Sequence, residues 1–127
     1  MDTQFAMPGC EIRVRKKILE MRFDGERREM DGVEPERALV SIMRHAQPKG
    51  MMFDVREAHY DLPPSRWRER AKVVARITRD YPLAIVCRND QRAQNRVILA
   101  AQREMGGTSE AFSSRTAAQD WLKQQIR

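Results

Sequence analysis

Lys49-Gly50-Met51-Met52-Phe53-Asp54-Val55 opens the part of the chain that decides the fold. From here one phrase comes three times: a short apolar strand run, then a helix with an apolar stripe. Met51 to Val55 leads to a helix around Trp67. Leu83-Ala84-Ile85-Val86-Cys87 leads to a helix around Val97, and Ala111-Phe112 to a final helix holding Trp121-Leu122. A helical crossover is the usual way for a chain to return to a parallel strand, so this order predicts an α/β sheet.

Upstream, Ile12 and Val14 alternate with Arg13 and Arg15, and Leu19, Met21 and Phe23 alternate with Glu20, Arg22 and Asp24. Period-two alternation predicts a hairpin with one wet face, turning near Lys16-Lys17. Residues 1–9 are expected to be a flexible N-terminus, with Pro8-Gly9 as a breaker. Asp24-Gly25 and Asp31-Gly32 punctuate the stretch before Pro35, which suits a first helical position and opens a helix through Ala38, Leu39, Ile42 and Ala46. Gln47-Pro48-Lys49-Gly50 ends it. The expected order is β-β-α-β-α-β-α-β-α in a single domain over residues 10–127, without linker, repeat or low-complexity tract.

A chain of 127 residues suffices for one core but not two. Charged residues are 33% and aromatics 6%, so the core must rely on aliphatics and methionine. The formal charge of +6 makes acidic partners worth testing. Cys10, placed in a terminal loop, and Cys87, at a strand end, read as two free thiols of a reducing compartment. No stretch approaches the ~20 apolar residues that span a bilayer, and no signal-peptide layout opens the chain, so a cytoplasmic location is expected.

On a helical wheel Trp67, Ala71, Val74, Thr78 and Tyr81 share one side, with Arg68, Lys72, Arg76 and Arg79 on the other. In the next helix Ala93, Val97, Ala100, Ala101 and Met105 are expected to face the core. Arg92, Arg96 and Arg103 then lie opposite, with Leu99 stranded among them. Like charges at i,i+4 are slightly unfavourable alone. Such stripes read either as solvated faces or as a partner surface, and an exposed Leu99 would favour protein contact.

The strand Met52-Phe53-Asp54-Val55-Arg56, the loop through His59-Tyr60-Asp61-Leu62-Pro63-Pro64 and the helix after it resemble the centre of the STAS domain, typified by anti-sigma-factor antagonists. The Leu83 to Cys87 strand and the closing Phe112, Ala118 and Trp121-Leu122 are similar to its divergent SpoIIAA-like branch, with its Phe…Ala-x-x-Trp-Leu ending. The resemblance spans nearly the whole chain through core positions. It implies a STAS-like mixed sheet with helices packed on it, working by binding rather than catalysis. One departure matters. Where anti-sigma-factor antagonists carry an Asp-Ser-x-Gly-like segment whose serine is phosphorylated, this chain reads Asp61-Leu62-Pro63-Pro64-Ser65. Ser65 is expected to act as a helix N-cap, so the phospho-serine switch does not carry over.

Other chemistry is sparse. His45 and His59 are isolated, with no Cys or carboxylate at ligand spacing, so no metal site is expected. Asp54, His59, Asp61 and Ser65 form a candidate ligand or partner loop at a strand's carboxyl end, where open α/β sheets bind ligands. Asp54 could equally anchor a loop backbone. Gly106-Gly107 reads as a helix C-cap turn, and no phosphate loop or dinucleotide fingerprint occurs, so no cofactor is expected. The leading expectation is a non-enzymatic STAS-like regulatory or interaction module. It would hold an acidic protein partner, or a second copy, through Arg92, Arg96, Leu99, Arg103, Arg68 and Lys72. The alternatives are a carrier of a small amphipathic or lipid-like ligand, and non-specific nucleic-acid binding. The last is disfavoured because no aromatic stacking platform accompanies the arginines. A receiver domain fits less well, lacking the acidic pair and late lysine.

Overall fold

The computed structural model describes residues 3–126, with side chains for all of these but Thr3, Glu29 and Met30. The alternating run folds as the expected hairpin of β2 (Cys10–Arg15) and β3 (Ile18–Arg27). Its two-residue turn places Lys16 and Lys17 at φ of 49° and 69°. Positive φ at both positions is what a tight hairpin needs to match the strand twist. Register pairs Ile12 with Met21 and Val14 with Leu19 on the core face, and Glu11 with Arg22 and Arg13 with Glu20 on the other. The wet face is thus laced by opposite charges.

The expectation for residues 1–9 is corrected where it can be compared: Thr3–Met7 is an edge strand, β1, antiparallel to β2. Residues 1–2 lie outside the described residues. Pro8-Gly9 is the turn between these strands, so Cys10 lies in paired, buried sheet rather than in a loop. Five residues flanked by a strong turn are a weak periodic signal, and β1 takes its order from its partner.

After a 3-10 turn at Glu29–Gly32 come α1 (Val33–Ala46), β4 (Gly50–Tyr60), α2 (Pro64–Thr78), β5 (Leu83–Val86), α3 (Arg92–Glu104), β6 (Ser109–Phe112) and α4 (Arg115–Gln125). The chain is a mixed α/β sheet of STAS-like topology with one more N-terminal strand than expected. Spatial order follows sequence order from β1 to β6, and β3 to β6 are parallel. Strands added stepwise in one direction, with crossovers of one hand, place those crossovers on one face. Leu39 of α1, Trp67 and Ala71 of α2, and Ile98 and Leu99 of α3 accordingly share a core with Leu19, Met51, Phe53, Val55, Leu83 and Ile85.

Among the described residues α4 alone packs on the second face. Ala118 and Leu122 seat on Ile18, Met52, Ala84 and Val86 there. Trp121 is only partly buried and lies against Phe112 at 5.7 Å between ring centroids, while Leu122 is fully enclosed. Toward β2 that face carries the charged ladder, whose Glu20 bonds Arg115 and Gln119 of α4.

Candidate functional site

The strand after Lys49 is longer than its apolar run suggests, because a bulge lets it continue. Arg22 pairs with Asp54, and two residues later on β3 Asp24 pairs with Glu57, three residues later on β4. The extra residue in β4 lets Val55 and Ala58 face the same core. Asp54 Oδ1 accepts the Arg56 backbone N–H at 3.2 Å, satisfying the amide that the bulge frees.

That bulge also disperses the candidate loop. Asp54 is buried on the α4 face, accepting from Arg56 Nε at 3.0 Å and from the Arg56 and Arg115 guanidinium groups at 2.9 and 3.4 Å. Arg115 continues to Glu20 at 2.8 Å. Burial works to raise the Asp54 pKa, but the Arg56 side-chain and backbone hydrogen bonds, its charge and the Arg115 bond outweigh it. They hold the carboxyl below the ordinary value. Asp54 therefore anchors the bulge and the start of α4 to the sheet. His59 lies exposed on β4 rather than in the loop, Asp61 is exposed with its N–H bonded to Arg27 O at 3.0 Å, and Ser65 is exposed on α2.

The capping role expected of Ser65 is corrected. The helix begins at Pro64, Pro63 holds the cap position at φ −59° and ψ 150°, and no side chain caps it. Proline at the first helical position needs no N–H partner, so the cap lies two residues earlier than expected.

The wheel of α3 is inverted relative to expectation. Asn95, Ile98, Leu99 and Gln102 are its buried residues, with Leu99 6% exposed, while Ala93 and Ala100 are exposed. Leu99 thus leaves the partner surface. The buried polar residues are tolerated because their amide N–H groups donate to backbone carbonyls. Gln102 Nε2 donates toward Thr78, Tyr81 and Thr108 carbonyls at 3.4, 3.1 and 3.3 Å, and Asn95 Nδ2 to Gln91 O at 2.9 Å. Gln91, just before α3, donates to Val55 and Ala58 carbonyls at 2.8 and 3.0 Å, tying helix to bulge.

Two concavities bear on function. The first is a groove between α2 and α3, floored by Ala93, Val97, Ala100 and Ala101 and rimmed by Arg68, Lys72 and Arg96, with Glu104 at its edge. Among the described residues none of those three cations pairs with a carboxylate. Arg103 instead donates to Ser109 O at 2.5 Å, and partly buried Arg92 does not line the groove. The second is a largely apolar cavity between the sheet, α1 and α2, with Phe53, Tyr60, Trp67, Arg27, Arg70 and Asn95 in its wall. Trp67 is fixed by donation from Nε1 to Gln94 O at 2.7 Å. Tyr60 packs tilted against it at 4.9 Å between ring centroids, and burial pushes the phenol pKa up against the charges of Arg27 and Arg70.

None of these cavity residues is marked by motif. Trp67 and Val74 are legible on the apolar side of the α2 wheel, and Asn95 and Ile98 belong to the i, i+3, i+4, i+7 set completed by Leu99 and Gln102.

Burial raises the pKa of both thiols, Cys10 to about 11, and both are free. Among the described residues no three His, Cys, Asp or Glu are grouped to hold a metal, and no helix is long and apolar enough to cross a membrane.

The architecture has a solved counterpart. An uncharacterised protein of the DUF3478 family from Shewanella loihica PV-4 superposes with a TM-score of 0.63 at 16% identity, over 95% of this chain and 93% of that one. The crystal structure of that protein is described as SpoIIAA-like. The fold here is of that kind. At such identity the likeness speaks for the fold and not for an activity. No family model and no curated protein matches the chain.

Proposed function

We propose that the chain is a non-enzymatic STAS-like interaction module that holds an acidic segment of a partner protein in the groove between α2 and α3. The observation that carries this reading is the apolar floor of exposed Ala93 and Ala100 and half-buried Val97 and Ala101, beneath Arg68, Lys72 and Arg96. Small residues let another backbone approach closely, and unpaired cations around them favour carboxylates on what approaches. The chain's charge of +6 adds long-range attraction of the same sign. Asp54, the most buried of the candidate carboxylates, is fully engaged with arginines, which supports a binding role over a catalytic one.

The test uses two exposed positions. A photo-crosslinking residue at Ala93 captures the partner in cells, and the purified partner is then titrated against the parent, Arg96→Glu and Ala100→Arg. Both variants are expected to weaken binding about tenfold or more, because one inverts a rim charge and the other fills the floor. Nucleic acid would bind Ala100→Arg more tightly, with a steep salt slope. That outcome, or parental affinity in both variants, sinks the reading. Sedimentation of the isolated chain separates a second copy from a foreign partner.

A further inference from the structure

The cavity between the sheet, α1 and α2 contains two polar groups that the protein itself leaves unfinished. Asn95 is 1% exposed, and its Oδ1 has no hydrogen-bond partner. Its orientation is set by chemistry: the Gln91 carbonyl can only accept, so the amide NH₂ faces Gln91 and the oxygen is left to the cavity. A buried acceptor without a donor is costly, and native proteins rarely keep one without a reason.

The second group is Arg27, 7% exposed. Its guanidinium reaches two backbone carbonyls, Asp31 O at 2.9 Å and Pro8 O at 3.4 Å, and stands 5.8 Å from the Phe23 ring centroid. Among the described residues no carboxylate pairs with it. Arg70, the other cation in the cavity wall with little exposure, is already paired with Glu36. A buried cation held only by neutral acceptors lacks the partner that buried charges ordinarily need. The rest of the wall is apolar and aromatic, including Phe53, Trp67 and Ile98.

We propose that this cavity binds a small organic monocarboxylate whose apolar body carries a hydroxyl or N–H. The carboxylate meets Arg27, the donor meets Asn95 Oδ1, and the body lies against Trp67 and Phe53. The enclosed space is about 70 Å³, against the ~150 Å³ of a cavity that admits a benzene ring. The body of the ligand therefore also occupies the open groove between α1 and α2, which Glu36 and Ile77 share with the cavity. This site is separate from the α2/α3 groove, and neither proposal requires the other.

The probe is 3-(4-hydroxyphenyl)propionate, titrated into the ¹⁵N-labelled full chain. The Trp67 indole N–H reports the cavity, and that of Trp121, on the second face of the sheet, serves as internal control. A saturable shift at Trp67 alone is expected. 3-Phenylpropionate, lacking the donor, should bind about tenfold more weakly, and the neutral 3-(4-hydroxyphenyl)propanamide at least tenfold more weakly, since bonds to charged groups contribute more. Asn95→Leu, with its fold checked by urea melting, should erase the preference for the hydroxyl and leave the preference for the acid. No saturable shift would mean that water alone fills the cavity, which overturns the proposal. Equal affinity for all three compounds, or a preference for the hydroxyl that survives Asn95→Leu, overturns it as well.

Discussion

Leu122→Ala is the perturbation that most directly tests how the second face of the sheet is closed. Leu122 is fully buried and packs on Met52, Ala84 and Val86, with its Cδ2 so near the backbone of Gly50 that a Cβ added there would sit 3.2 Å away. Removing three buried carbons forfeits roughly 2.4 kcal/mol of transfer energy at about 0.8 per methylene. A residual void of roughly 50 Å³ adds about 1.2 kcal/mol, for a total of about 3.5. With a urea m-value of about 1.5 kcal/mol/M, the midpoint should fall by roughly 2 M. Trp121→Ala should cost less, about 1–2 kcal/mol, because the indole is partly exposed and loses mainly its contact with Phe112. Equilibrium urea melts of both variants, followed by far-UV circular dichroism, decide the matter. A loss below about 1 kcal/mol for Leu122→Ala, or a larger loss for Trp121→Ala, would refute the assignment of Leu122 as the residue that seats α4.

Three further outcomes follow from individual contacts. Asp54→Asn should cost about 1–2 kcal/mol at pH 7, discounted because its arginine partners are about one-third exposed. The folded carboxyl sits below its unfolded value of about 3.9, so the contribution is complete above that pH and disappears as pH falls through the folded value; acid melts of parent and variant should converge there. Cys10 should resist alkylation in the native state at pH 8 and react only on unfolding. Because burial raises its pKa from 9.0 to about 11, its contribution to stability is present below pH 9 and is lost between pH 9 and 11, so Cys10→Ala should flatten that alkaline decline. Gln102→Ala should cost about 1–3 kcal/mol in urea melts, since it takes the side-chain donor from the Tyr81 carbonyl, whereas the Thr78 and Thr108 carbonyls keep the backbone N–H groups of Tyr81 and Leu83; a change under 0.5 would mean that water replaces the amide.

What was legible in the chain follows from how each element is stabilised. The hairpin and the apolar runs at Met51 and Leu83 announce themselves because burial on a pleated sheet leaves a period that sequence records. Edge strand β1 leaves none, since its order comes from the backbone of β2. The bulge in β4 is silent too, because the phase of its alternation shifts by one residue and displaces Asp54 from His59 and Asp61. α3 is the instructive case. Both of its faces carry apolar residues, and a wheel weighted by hydrophobicity selects the alanine face. The structure buries the face with Asn95 and Gln102, because Ile98 and Leu99 fill more space than alanines and the two amides satisfy backbone at both ends of the helix. Polar residues at helical spacing beside large aliphatics are thus core elements here. The same inversion creates both concavities: it exposes the alanines as the floor of the groove, and it carries one amide oxygen, that of Asn95, into a cavity where the protein provides no donor.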